Sequence, residues 1–510
     1  MRAVQFTDLL AAGEIDDIMI GDAPSSAEAL ADDRALAAFG PEIRGLTADS
    51  RAVAPGFLFA ALPGARADGR AFIPEALARG AVAVLAAEGT PPLEGPARLV
   101  TSANPRRAFA RLAARFHGRQ PRTVVAVTGT NGKTSTARFA AGLWRALGCA
   151  GGSLGTLGAE APGYARAGSL TTPDPVLLHE ILAAMADAGC DRLAMEASSH
   201  GLDQYRLDGV RLAAAAFTNL THDHLDYHGS MAAYRAAKTR LFTQVMPPNG
   251  VAVLNADSAE AEDLDALCRA CGHRAITYGR AGGDLRLEGA RPTPDGQDLR
   301  LIVYGQRVTA HLPVPGEFQA LNALAALGLV IGTGAEPRRA VAALETLAGV
   351  PGRMQKVAAL ANGAPVYVDY AHTPDALETV LKGLRPHAHG RLVCVFGCGG
   401  DRDRTKRPEM GEVVARLADV AIVTDDNPRT EDPAAIRAAI LAACPGGIEI
   451  GDRGAAIRAG VDQLGPDDLL LVAGKGHEPG QTVGTTVLPF DDSAQSRAAV
   501  AERDQRKAPA

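Results

Sequence analysis

The stretch TVVAVTGTNGKTSTARFAAGLW, residues 123–144, constrains the fold more than any other part of the chain. An apolar, β-branched run reads as a buried strand, the glycines as a turn and the alanine-rich tail as a helix. A strand passing through a glycine turn straight into a helix belongs in a layered α/β domain. The backbone N–H groups of such a turn, backed by a helix N-terminus, cradle phosphate oxygens. Gly129, Thr130, Asn131, Gly132, Lys133, Thr134 and Ser135 form that cradle here. Lys133 is of the type that reaches β/γ-phosphates, and the Thr134 hydroxyl suits Mg²⁺. The spacing departs from the usual Walker A pattern, since Val127 stands where the first glycine would be.

A chain of 510 residues is too long for one core, and the pattern divides it in three. Residues 1–118 alternate short strand-like pieces (FLFAAL, AVAVLAA, ARLVT) with helical stretches, closing on a helix that ends at Gly118. Residues 119–349 carry the phosphate cradle and further strands at DRLAMEASS, AAAAFTNL and GVAVLNAD. Residues 350–510 give strands at PVYVDYAH, RLVCVFGCGG, DVAIVTDD and DLLLVAGKG, separated by helices. Strands alternating with helices call for parallel α/β sheets, whose ligand sites lie at the carboxyl ends of the strands. Each charged or glycine-rich cluster of this chain falls at such an end.

A net charge of −6 gives no reason to expect nucleic-acid binding, so an anionic ligand must be held locally. The N-terminus has no basic stretch followed by an apolar core, and no apolar run nears the length of about 20 residues that spans a bilayer. Cysteines scattered through apolar runs suit reduced, buried thiols, and the pair Cys268–Cys271 reads as structural. A cytoplasmic protein without membrane insertion is expected.

Glu196 ends an apolar strand, and TNLTHDHLDYHGS then sets His222, Asp223, His224, Asp226 and His228 close together. Taken alone, such a cluster serves equally as helix caps or as ligands; beside a phosphate cradle, at least one metal role is favoured, with Mg²⁺ preferring oxygen. Lys238 follows in MAAYRAAKTRLF, and its spacing fits a solvated lysine on an amphipathic helix. In the last block GCGGDRDRTKRP, TDDNPR and GKGHE stand at strand ends of one sheet and should converge on one crevice. Arginine binds carboxylates bidentately and acids bind an ammonium, so the crevice suits an amino acid.

VTGTNGKTST, MEASSHGLDQYR, TNLTHDHLDYHGSMAAYRAAK, GRMQ, VDYAHTPDAL, GCGGDRDRTKRP, DDNPR and GKGHE, in this order from about residue 44 to 495, resemble the Mur ligases of peptidoglycan synthesis. The resemblance implies three domains: an N-terminal α/β domain holding the UDP end of a precursor, a central P-loop parallel-sheet domain and a Rossmann-like C-terminal domain. It implies a monomer that joins an amino acid to UDP-MurNAc-L-Ala-D-Glu by ATP-driven amide formation through an acyl phosphate. Lys133, Glu196 and Lys238 take catalytic roles on this reading. Thr134, Glu196, His224 and Lys238, the last as a carbamate, are the implied metal residues. ATP contacts extend to Asn322, Arg353 and Asp369; Gln319 replaces an asparagine of many relatives and is given no role. The precursor is held by Ser50, Ala65, Arg66, Ala67, Thr171, Thr172, Ser198, Gln204 and Arg206, with Leu170 where some relatives have asparagine. Arg402, Asp426, Asn427, Pro428, Arg429, Gly474 and Glu478 are the implied amino-acid contacts, Glu478 taking the far ammonium. The DNPR motif accompanies meso-diaminopimelate, whose far carboxylate Arg429 would meet. A lysine-adding Mur ligase, a folylpolyglutamate synthase-like ligase and a P-loop nucleotide switch are the alternatives.

Overall fold

The computed structural model describes residues 3–10, 18–20, 40–64, 67–168, 170–281 and 283–507. Ala65 and Arg66 lie outside the described residues. Three sheets organise the chain. The first runs Ile18–Ile20, Arg98–Ser102, Ala81–Ala87, Phe57–Ala60, Gly45–Thr47, parallel except for its first pair. The helix Pro105–His117 follows, capped by Asn104, whose side-chain oxygen accepts from the Arg107 N–H at 3.1 Å, and ended by Gly118 at φ 70°.

Among the described residues the central sheet has eleven strands. Its parallel middle is Gly151–Gly155, Arg192–Glu196, Thr123–Thr128, Leu212–Phe217, Val251–Asn255, Arg274–Gly279. Helices Lys133–Ala146 and Glu317–Gly332 cover one face with an apolar core that includes Phe139, Trp144, Leu324 and Leu327. The antiparallel strands Leu285–Thr293, Gly296–Val303 and Gln306–Leu312 extend the sheet. The strand–helix alternation does not announce them, because their turns and polar outer faces read as loop.

The third sheet, Gln355–Ala359, Pro365–Asp369, Leu469–Ala473, Leu392–Phe396, Val420–Val423, Ile448–Glu449, is parallel apart from its first pair. The last parallel strand in sequence inserts beside the first. The loop after Leu392–Phe396 therefore lies between those after Leu469–Ala473 and Val420–Val423, whereas chain order puts TDDNPR in the middle. The described cysteines are free; Cys149 and Cys271 are half-buried, the others buried. Cys149 therefore departs from the expected burial because it follows the end of helix Lys133–Ala146. No helix among the described residues is long and apolar enough to cross a membrane.

His179, on the helix Pro175–Asp187 packed against Pro105–His117, is 1% exposed. Burial, with His117 nearby, pushes its imidazole down from 6.5 to about 3. The unfolded chain therefore binds a proton below pH 6.5 that the folded state excludes, so this contribution is present above 6.5 and is lost as pH falls toward 3. Urea midpoints measured across that window should decline with falling pH, and His179→Leu should flatten the decline.

Candidate active site

The phosphate cradle connects Thr123–Thr128 to Lys133–Ala146, with Gly132 at φ 86° as the residue before the helix. A side chain there would also bring its Cβ 2.3 Å from Asn322 Oδ1, so only glycine lets Asn322 close on the loop. Lys133 folds back over the loop, donating to the carbonyls of Gly129 (2.8 Å) and Thr130 (2.7 Å), and burial lowers its pKa. The Thr134 hydroxyl donates to Glu196 Oε2 at 3.0 Å. Thr156 donates to the same carboxylate through its N–H (2.8 Å) and hydroxyl (3.2 Å), and pairs with Thr171 at 2.9 Å. The local reading missed Thr156; the signal was the glycine-rich GGSLGTLG, for a Cβ on Gly155 would sit 2.0 Å from Glu196 Oε1. Hard oxygens gathered at one end of the cradle fit Mg²⁺.

Asn322 donates to Gln319 Oε1 at 3.0 Å, and Gln319, fully buried, lines the same cleft. Arg353 stacks on Tyr370 at 4.4 Å and reaches Thr134 Oγ1 at 3.4 Å. Asp369 accepts the N–H groups of Met354 (2.6 Å) and Ala371 (2.7 Å), and burial raises its pKa. Asn131 donates to Asp375 at 3.0 Å, tying the cradle to the third domain.

Lys238 is not solvated: it is 1% exposed. Its Nζ donates to Gly129 O at 2.8 Å and lies 4.3 Å from the Tyr234 ring centre. Burial, with Lys133 beside it, lowers its pKa well below that of an ordinary lysine. His224 stands at φ 55° with Nε2 3.4 Å from Asp223, and its ring meets that of His200 edge-on at 4.9 Å. Desolvation by the cleft walls pushes His224 down to about 4, although 44% of its side chain is open to solvent. Among the described residues no three His, Cys, Asp or Glu side chains form a metal-ligand group. Asp223 and His224 of the HDHLDYH run line the cleft of the cradle, with Thr134 and Glu196 as oxygen donors at the cradle itself.

The residues expected to hold the precursor fall into two places. Ser50 is buried on the first domain and donates to Glu75 at 2.8 Å; Ala67 is exposed, its carbonyl accepting from Gly64 at 3.1 Å. Thr172, Ser198, Gln204 and Arg206 form one chain on the central domain. The Thr172 hydroxyl accepts from Ser198 N–H (3.0 Å), and Arg206 donates to Thr172 O (2.7 Å) and Gln204 Oε1 (2.8 Å). Beneath this chain Arg240 pairs with Asp208 (3.1 Å), stacks on Tyr205 (3.9 Å) and donates to Leu202 O. Arg107 of the first domain meets Asp208 at 3.2 Å.

The three polar loops of the third domain do converge, on a crevice of about 650 Å³. Arg402, Asp426, Asn427, Arg429, Gly474 and Glu478 line it. Pro428 carries the intervening turn, its carbonyl accepting from the Glu431 N–H at 3.2 Å. Arg402 donates to Asp401 O at 3.0 Å, and Arg429 Nη1 to Gly400 O at 2.7 Å. Asp426 is 7% exposed, and its Oδ2 has no hydrogen-bond partner among the described residues. Glu478, expected to take an ammonium, already accepts from Asn427 (2.9 Å) and from the fully buried Lys475 (3.0 Å). Lys475 was not singled out from the sequence, where GKGHE offers it only as a loop cation. A second cleft of about 310 Å³ holds the cradle. The two clefts share Asp223, His224, Tyr370, His372 and Asp375 as walls, so the cradle and the crevice adjoin.

Family models match three stretches: "Mur ligase family, catalytic domain" at 42–117, "Mur ligase middle domain" at 127–330 and "Mur ligase, glutamate ligase domain" at 352–476. The chain is 55% identical over 465 residues to a UDP-N-acetylmuramoyl-L-alanyl-D-glutamate–2,6-diaminopimelate ligase of Caulobacter vibrioides, covering 89% of this chain and 95% of that one. It is 53% identical to the ligase of the same name in Rhizobium meliloti, over 90% and 94% of the two chains. A solved structure titled with that ligase name superposes with a TM-score of 0.67 at 34% identity, covering 91% and 96%. A Mycobacterium tuberculosis folylpolyglutamate synthase, at 21% identity over 72% and 92% of the chains, shares the fold with a TM-score of 0.61.

Proposed function

The chain belongs to the Mur ligase family, and from that membership we propose that it joins meso-diaminopimelate to UDP-MurNAc-L-Ala-D-Glu, driven by ATP. The observation that carries this reading is the pair of clefts with shared walls, one a phosphate cradle and the other a crevice with both a lining arginine and an unpaired buried carboxylate oxygen. The names of its relatives point to the same reaction.

On this reading the first domain (to about 118) and the Thr172–Arg206 chain hold the precursor, the central domain (to about 349) holds ATP, and the third holds the amino acid. The D-glutamate γ-carboxylate attacks the γ-phosphorus, and the bond to the β-γ bridging oxygen breaks to leave ADP. The amine then attacks the acyl carbon, an amide forms, and phosphate leaves with one oxygen from the carboxylate; the amine proton goes to solvent or a nearby base. Two anions must meet in the first step, and Lys133 supplies charge there. Mg²⁺ held through Thr134 and Glu196 would neutralise phosphate charge. Lys238, as a carbamate, would add a second anionic oxygen donor to that set. Arg429 receives the far carboxylate, and Asp426 takes an ammonium of the incoming amino acid.

Precursor labelled with ¹⁸O in the γ-carboxylate tests the acyl-phosphate route. One labelled oxygen should appear in released phosphate for each amide formed, and unlabelled phosphate would overturn it. Asp208→Asn, which weakens the hold of Arg240 under the precursor loop, is expected to raise KM for the precursor about tenfold. KM for ATP should stay within about twofold, since the cradle is unchanged; initial rates with each substrate varied separately check this.

A further inference from the structure

The segment GQTVGTTVLP, residues 480–489, has no part in the reaction outlined above, yet it forms a hairpin of Gly480–Val483 with Thr486–Pro489. It is not a piece of core: Val483, Val487 and Leu488 are 44%, 65% and 48% exposed. A hairpin this short is not stable alone in water, so its inward bonds hold it. Those bonds go to the Asp426–Arg429 turn. The Gln481 amide donates to Asp426 O at 2.7 Å, and the Thr482 N–H to Asn427 Oδ1 at 2.8 Å. Arg429 N–H donates to Thr482 O at 3.0 Å, and Gly484 N–H to Arg429 O at 2.7 Å. Lys475 fixes the hairpin base, donating to Gly480 O at 2.6 Å.

Arg429 itself sits at φ 53°, a left-handed conformation that a residue with a side chain adopts only when its surroundings enforce it. Its N–H and C=O are both consumed by the hairpin. We propose that the hairpin is a brace that holds Arg429 in this conformation and so sets which far-end group the crevice accepts, with Gln481 as a positioning residue. The inference rests on the amino-acid ligase reading. The amide of Gln481 also reaches Asp425 O at 3.4 Å, so one side chain anchors two successive carbonyls at the start of the turn. Loosening it lets the Arg429 guanidinium wander, which harms a substrate with a far carboxylate and spares one without.

The test measures kcat/KM for meso-diaminopimelate and for L-lysine in wild type, Gln481→Ala and Val487→Thr, with thermal unfolding to check folding. Gln481→Ala is expected to lower the diaminopimelate-to-lysine ratio about tenfold or more while KM for ATP stays put. Val487→Thr, on the exposed face of the same hairpin, should leave the ratio unchanged. An unchanged ratio in a folded Gln481→Ala, or equal losses for both amino acids, overturns the brace and leaves the ligase standing. A wild type that uses neither amino acid overturns the ligase reading, and the brace with it.

Discussion

Lys238→Ala is expected to lower turnover about a thousandfold while ATP binding is largely retained. The lysine is buried under the phosphate cradle, with its amine on Gly129 O and its pKa driven well below the ordinary value by burial and by Lys133. Burial of that kind favours the neutral amine, and a neutral amine can attack CO₂: the N–C bond would form, a proton leave, and a carbamate result. That would replace a cation by an anionic oxygen donor in the cleft that Thr134 and Glu196 also line, a donor suited to Mg²⁺. Removing ambient CO₂ and bicarbonate should therefore lower wild-type activity. Added acetate or formate, small enough to enter the space left by the truncated side chain, should restore part of the activity of Lys238→Ala. A variant that turns over within about threefold of wild type, too little for a lost charge contact at a reacting phosphate, would remove Lys238 from the chemistry and leave it a loop support.

Arg429→Ala is expected to cost about 10³-fold in kcat/KM for meso-diaminopimelate and little for L-lysine. The two amino acids differ by one carboxylate at the far end. Arg429 spends one Nη1 contact on Gly400 O and lines the crevice with the rest of its fork, a geometry suited to a bidentate carboxylate. Lysine would leave that fork unpaired, which is the expected ground for discriminating against it. Arg429→Lys keeps the charge but not the fork, and should recover only a fraction of the loss. Side-by-side kcat/KM values for both amino acids check it; parallel losses would show that Arg429 shapes the crevice without reading the carboxylate.

The parts legible in the sequence were those written in short spacing. Gly129–Ser135 between strand and helix, and the polar ends of the third-domain strands, follow from local patterns, and the fold puts them at the carboxyl ends of interior parallel strands. What depends on tertiary placement was not legible. Helical spacing gave Lys238 a solvated face, and only the packing of Met231–Arg240 under the cradle buries it. Strand insertion decided which third-domain loops are neighbours. Thr156 acts on Glu196, distant in sequence, and only the glycine-rich run around it hints at this; Lys475 is hidden under its loop and no local pattern marks it. That Asn427 and Lys475 both donate to Glu478 Oε2 was equally beyond the sequence.

The most direct measurement is phosphate release from ATP by the wild-type protein given UDP-MurNAc-L-Ala-D-Glu with meso-diaminopimelate, with L-lysine or with no amino acid. One phosphate per amide is expected, with release only when precursor and diaminopimelate are both present, and a rate with lysine lower by a factor of about 10² or more. Phosphate release that ignores the amino acid, or equal rates with both, would contradict it.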